Sequence, residues 1–187
     1  IAMSSGIAKN GGKPVFNVYS TFLQRTYDQL VQDLCVNNNS AVIINHQASV
    51  YGMNDVTHLG FFDIPMLTSI PNLVYLAPTN NEELLAMTEY AVHQHEHPVA
   101  IRVPVGEFTS TGVADTTDYS LLNKSEVTRR GERIALLGLG NFYHLANQVA
   151  DELAKVGINA TVVNPKFASG LDEELLEDLK VNHSVVF

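Results

Sequence analysis

Three groups of side chains in this sequence are of types, and stand at spacings, that could do chemistry. Tyr19, Phe22 and Arg25 lie in Tyr19-Ser-Thr-Phe-Leu-Gln-Arg-Thr-Tyr-Asp-Gln29, directly after a short apolar run. An aromatic pair and a cation therefore stand where a strand passes into a helix, the end of an open α/β sheet at which ligands bind. His58, in Thr57-His-Leu-Gly-Phe-Phe-Asp63, closes an aperiodic stretch that follows a second apolar run. An imidazole in a loop beyond a strand end suits proton transfer to a sugar oxygen, because its charge changes near neutral pH. Arg102, in Ala-Ile-Arg-Val-Pro, ends a third run, and its planar guanidinium suits two-point pairing with an acidic group, whether a ligand's or the protein's own. Plainer readings stand beside these: Phe22 as the first core residue of a helix, His58 as a hydrogen-bonded structural residue, Arg102 as half of a structural ion pair.

The elements that must position these groups alternate. Ile1 to Lys9 reads as the second half of a helix stopped by Gly11 and Gly12, Pro14 to Tyr19 as a strand, Thr21 to Leu34 as a helix, and Ala41 to His46 as a buried strand. Gln47 to Gly60 lacks sustained periodicity, and a loop of that length in a compact domain is usually functional or disordered. The pattern then predicts a short helix over Phe61 to Ile70, a strand over Leu73 to Leu76, and a helix over Glu82 to His93 capped by Asn80. A strand over Val99 to Val103 follows. Strands alternating with helices imply an α/β fold with a parallel, doubly wound sheet. Gly106 to Asp118, small and hydroxylated, reads as a linker. A second module offers strands at Arg133 to Leu139, Ala160 to Val163 and Ser184 to Phe187, with helices over Asn141 to Val156 and Asp172 to Leu179. Both modules read as cut short, the first at its start and the second at its end.

The two chemical runs, Tyr-Ser-Thr-Phe-Leu-Gln-Arg-x-Tyr-Asp-Gln and Thr-His-x-Gly-x-Phe-Asp, resemble the pyrimidine-binding domain of the 1-deoxy-D-xylulose-5-phosphate synthase family, in the transketolase superfamily. The resemblance implies a thiamine-diphosphate pyrimidine-binding fold over residues 1–108, a linker over 109–126, and an incomplete transketolase C-terminal-like α/β domain over 127–187. It implies thiamine diphosphate as cofactor, with Mg²⁺ held by a diphosphate-binding domain outside this sequence, on the same or a partner chain of a homodimer. Phe22 would stack on the pyrimidine with Tyr19 and Arg25 on the same turn, His58 would be catalytic, and Arg102 would meet the acceptor's phosphate. Gln47 and Asn54 occupy substrate-contacting positions where the family carries arginine and aspartate, and Val105 stands for a further arginine. The expected reaction is transfer of a two-carbon unit to an aldehyde or sugar phosphate, with an acceptor that can differ from the family's usual one. The activating glutamate would fall just before Ile1, so this chain alone is expected to be inactive. A transketolase, a 2-oxoacid dehydrogenase β subunit, or a non-catalytic α/β interaction module are the alternatives.

Composition agrees with a small-molecule enzyme of the cytoplasm. The 187 residues are 45% hydrophobic, enough for a real core, and 20 acidic against 11 basic side chains disfavour nucleic acid as a partner. No apolar run of about 18 residues suggests a membrane span, and one cysteine, Cys35, excludes an internal disulfide. Gly138-Leu-Gly140 fails as a dinucleotide fingerprint, because Tyr143 and Asn164 stand where a glycine and an acid are needed. His93, His95 and His97 alternate along a helix end and point in different directions, so no metal site is expected there.

Overall fold

Three short apolar runs become buried strands because they present apolar side chains to both faces, the pattern of a sheet buried on two sides, while the first, Val15–Tyr19, alternates exposed and half-buried residues as an edge strand does. A computed structural model describes residues 1–50 and 56–187; Asn54 lies outside them. Helix α1 (Ala2–Lys9) ends at Gly11, whose φ of +84° is the left-handed turn a glycine makes without strain, and β1 (Val15–Tyr19) follows. The expected helix after β1 forms, but its pitch changes along its length: α2 (Ser20–Leu23), a 3₁₀ turn (Gln24–Thr26), α3 (Tyr27–Gln29) and a π segment (Leu30–Cys35). The Thr26 hydroxyl donates to the Leu23 carbonyl at 2.7 Å, a local bond that competes with regular α-helical pairing. Strand β2 (Val42–Ala48) is followed by α4 (Asp63–Leu67), shorter than the helix expected over 61–70. Then come β3 (Val74–Leu76), α5 (Asn81–His93) and β4 (Val99–Pro104). The Asn80 side chain caps α5 by accepting from the Glu83 amide at 2.9 Å, as the sequence predicts, while the Glu83 carboxylate takes the Thr79 amide at 2.7 Å.

The first sheet is wholly parallel, in the order β1-β2-β4-β3. Ile43, Tyr75 and Ala100 turn to one face, against Leu23, Leu30, Leu34 and Leu67. Val42, Leu76, Val99 and Ile101 turn to the other, against Met87 and Ala91 of α5. Helices thus cover both faces, the doubly wound arrangement.

The second sheet is mixed, in the order β5-β7-β6-β8. Strand β5 (Glu126–Arg129) runs antiparallel to β7 (Thr161–Asn164), while β6 (Arg133–Leu137) lies parallel to β7 and to β8 (His183–Val186). Helix α6 (Phe142–Lys155) buries Ala146 and Ala150 on one face of this sheet, and α7 (Glu173–Asn182) buries Leu179 on the other. Strand β5 carries no apolar periodicity and is absent from the sequence expectation. No helix among the described residues is long and apolar enough to cross a membrane.

The two sheets are joined edge to loop. The segment after β7 covers the open edge of β3: the Ala77 amide donates to the Lys166 carbonyl at 2.8 Å and the Ala168 amide to the Tyr75 carbonyl at 2.7 Å. Phe167 enters the first domain's core beside Tyr119, so the connecting segment is packed rather than a free tether. Lys166, 3% exposed, is surrounded by Glu126 at 2.9 Å, Glu83 at 3.2 Å and Asp115 at 3.8 Å. Burial alone would lower its pKa, but the carboxylates, Glu83 foremost, hold it above the ordinary lysine value.

Asp115 fixes the connecting segment and makes it acid-sensitive. Burial works to raise its pKa, yet hydrogen bonds from Thr117 and Tyr119 and the charge of Lys166 bring it below 3.8. The folded form therefore prefers ionised Asp115; its contribution is complete above pH 3.8 and is lost as pH falls through the lowered folded value. Urea midpoints measured from pH 7 down to pH 3 should fall more steeply for the wild type than for Asp115→Asn.

Candidate active site

Strand register decides which side chains reach the ligand-binding end of the first sheet. Tyr19, His46 and Val103 form one row, and Val18, Asn45 and Arg102 form the neighbouring one, turned to the opposite face. Beyond the C-terminal ends of β1, β2 and β4 opens a cleft of about 660 Å³, lined by Asn17, Tyr19, Phe22, His46, Gln47 and Val105 among others. Its walls present amide, phenol and imidazole groups beside aromatic carbon.

Phe22 is no core residue. It is 41% exposed and Tyr19 44%, and their rings lie nearly parallel, 6.1 Å apart at 19°. His58 meets Phe22 edge-on at 5.3 Å and 82°, and Tyr19 at 6.5 Å. The Arg25 guanidinium lies 5.9 Å from the Phe22 ring centre, within cation–π range. Four of the residues singled out in the sequence thus form one cluster, and Gln47 lines the same cleft. Large aromatic surface left uncovered at a cleft is suited to stacking on a flat heterocycle.

The run from Thr57 to Asp63 explains how His58 is held there. The Thr57 hydroxyl and His58 Nδ1 are hydrogen-bonded at 2.8 Å, and the Thr57 carbonyl accepts from the Thr21 hydroxyl at 3.1 Å, tying the loop to α2. Gly60 closes the loop's base, where its carbonyl accepts from the Ser49 amide at 2.7 Å. A Cβ at Gly60 would stand 1.8 Å from the Gln47 carbonyl oxygen, so only glycine allows this approach. Opposite it, β2 bulges between His46 and Ala48, with Gln47 at φ +53° and Ser49 at φ +116°. Non-glycine residues in such conformations cost free energy that the surrounding structure must supply.

Asp63 ends the run and pairs with Arg102. The Arg102 side chain lies on the face away from the cleft, 5% exposed, with Nε donating to Asp63 Oδ2 at 2.7 Å and Nη2 to Oδ1 at 3.4 Å. The geometry is that of the buried ion pair named among the plainer readings, and Arg102 is not among the residues that line the cleft. Asp63 also accepts from the Tyr75 hydroxyl, and Asn45 donates to that hydroxyl at 2.8 Å. Burial, and then the Asp63 charge, push the Tyr75 phenol well above its ordinary pKa, so it remains a donor. This buried network pins the start of α4, and with it the loop end that carries His58, to β2, β3 and β4. Sequence reasoning placed Asp63 in a motif without seeing its partner, which lies 39 residues away. Among the described residues no group of three or more His, Cys, Asp or Glu side chains is placed to hold a metal ion.

Comparison with known proteins agrees with this geometry. Residues 1–110 match the transketolase pyrimidine-binding domain and residues 123–187 the transketolase C-terminal domain. The chain is 37% identical over 187 residues to a 1-deoxy-D-xylulose-5-phosphate synthase of Natranaerobius thermophilus, covering 100% of this chain and 30% of that protein. It is 41% identical over 185 residues to the synthase of Stenotrophomonas maltophilia, covering 98% and 28%. The chain thus spans about three-tenths of the length of these relatives. Among solved structures, a split-gene transketolase described as an inactive β4 tetramer superposes with a TM-score of 0.80 at 21% identity, over 98% of this chain and 58% of that one.

Proposed function

Since the chain belongs to the transketolase family by its pyrimidine-binding and C-terminal domains, we propose that it forms the pyrimidine-binding part of a thiamine-diphosphate-dependent transferase of the 1-deoxy-D-xylulose-5-phosphate synthase type. The observation that carries this reading is the exposed Tyr19–Phe22 pair at the cleft with His58 set edge-on 5.3 Å away. The cleft fits the cofactor's aminopyrimidine: one aromatic face is available for stacking, and the Arg25 cation lies against the same ring. Bound thiamine diphosphate would supply the nucleophilic carbon needed to break and make a carbon–carbon bond beside a carbonyl. Mg²⁺ and the diphosphate belong, on this reading, to a diphosphate-binding domain of the same or a partner chain in a homodimer.

The chain's own groups have separate tasks. Phe22 and Tyr19 hold and orient the ring and exclude water from it. His58 moves a proton at an oxygen of the acceptor, with Thr57 fixing the imidazole through Nδ1. Gln47 offers an uncharged amide where the resembling synthases place arginine, and Asn54 is assigned to the same acceptor. Arg102 acts at one remove, by anchoring Asp63. The acceptor is a small aldehyde or sugar phosphate, and the enzyme is soluble and cytoplasmic.

Calorimetric titration of the complete protein with thiamine diphosphate tests the reading. Phe22→Ala should weaken binding about tenfold, because an aromatic stack is worth roughly 0.5–1.5 kcal/mol beyond its area burial. Unchanged affinity would remove the stacking assignment.

A further inference from the structure

We propose that Asn141, in the second domain, is a positioning residue for the cleft of the first, holding through Ser49 the bulge that presents Gln47 and the loop base behind His58. The inference rests on the functional reading of that cleft. Asn141 precedes α6, where an asparagine side chain ordinarily caps its own helix. Here it makes no such bond. The first turn is closed without it, the Phe142 amide donating to the Leu139 carbonyl at 3.2 Å and the Tyr143 amide to Gly140 at 3.0 Å. The freed carboxamide crosses the domain boundary instead: Nδ2 donates to the Ser49 hydroxyl at 3.1 Å, and that hydroxyl lies 3.4 Å from Oδ1.

Ser49 is the hinge of this arrangement. It is 2% exposed, holds φ at +116°, and gives its amide to Gly60 at the base of the His58 loop. Two residues earlier, Gln47 is forced to positive φ by the bulge. Strained backbone persists only where neighbours over-determine it. Asn141 is a neighbour that the first domain cannot supply for itself, and α6 is set firmly enough to serve. His144 Nε2 bonds the Thr79 carbonyl at 2.9 Å, and Gly140 packs on Ala77 and Pro78. The second domain therefore participates in acceptor recognition without touching the acceptor.

The test uses the complete, cofactor-loaded enzyme with four variants: Asn141→Ala, Ser49→Ala, the double variant, and His144→Ala as a control that weakens domain contact away from Ser49. Hydrogen exchange at the Ser49 amide should quicken roughly five- to tenfold in Asn141→Ala, the worth of one net hydrogen bond, and stay unchanged in His144→Ala. KM for the acceptor should rise by a similar factor while affinity for thiamine diphosphate is kept, and the double variant should be no worse than the worse single one. An Asn141→Ala enzyme with wild-type exchange and KM, or one matched in both by His144→Ala, would overturn the proposal. If wild-type protein failed to bind thiamine diphosphate while the exchange result held, the functional reading would fall and the structural coupling would stand.

Discussion

Replacing Asp63 by alanine is expected to destabilise the fold by about 3–5 kcal/mol, the cost of stranding one member of a buried ion pair. Arg102 is 5% exposed, and among the described residues its guanidinium finds both of its close acceptors on that one carboxylate. The Tyr75 hydroxyl would lose its acceptor in the same step. Removing both charges should cost far less, since a buried pair replaced by apolar groups of similar volume is often neutral in stability. Urea unfolding of Asp63→Ala, Arg102→Met and Asp63→Leu/Arg102→Met makes the comparison, with the double variant recovering most of the loss. Arg102→Lys should fall between, because an ammonium keeps the charge but not the two-point geometry. Were Asp63→Ala to lie within about 1 kcal/mol of wild type, the range of exposed ion pairs, the network would not be what anchors α4.

The same pair marks the limit of what could be read from the chain. Most strands and helices of both domains follow their periodicity, because burial leaves an apolar signal at core positions. That Tyr19, Phe22, Arg25 and His58 would lie together was also legible, since local runs carried them: the first three share one turn, and His58 sits in a compact motif. For Arg102 the sequence left two readings open, and its partner was not legible. Whether a strand-end arginine faces the cleft or the opposite helices depends on parity within the strand and on where Asp63 lands, neither of which a run of five residues encodes. Strand β5 escaped for a related reason: an edge strand with alternating half-burial and charged ends gives no apolar signature. Contacts between the domains, Asn141 with Ser49 and Phe167 on β3, join residues about 90 apart, a separation that no local pattern reports.

Gly60→Ala is expected to be the most damaging single-methyl change in the site. The added carbon would lie 1.8 Å from the Gln47 carbonyl oxygen, 2.8 Å from its carbonyl carbon and 3.1 Å from the Ala48 Cα. All three are backbone atoms, so no side-chain rotation relieves the clash. Either the Ser49–Gly60 bridge opens or the β2 bulge flattens, and each route displaces Gln47 and releases the loop end that sets His58 against Phe22. The stability loss should reach about 3 kcal/mol, the upper part of the range for overpacking. On the proposed role of His58, the loss in kcat/KM should be greater, on the order of a hundredfold, because a displacement of about 1 Å in a positioned catalytic group has that effect. Gly6→Ala supplies the contrast. Gly6 lies within α1 with nothing within 4 Å of its would-be Cβ, so the same methyl there should stabilise by about 0.5–1 kcal/mol and leave turnover unchanged. Opposite signs for one chemical change at two glycines, measured by urea unfolding and acceptor kinetics on the complete enzyme, would trace the effect to the bulge. Equal and small effects would mean that Gly60 does not hold Gln47 and His58 in place.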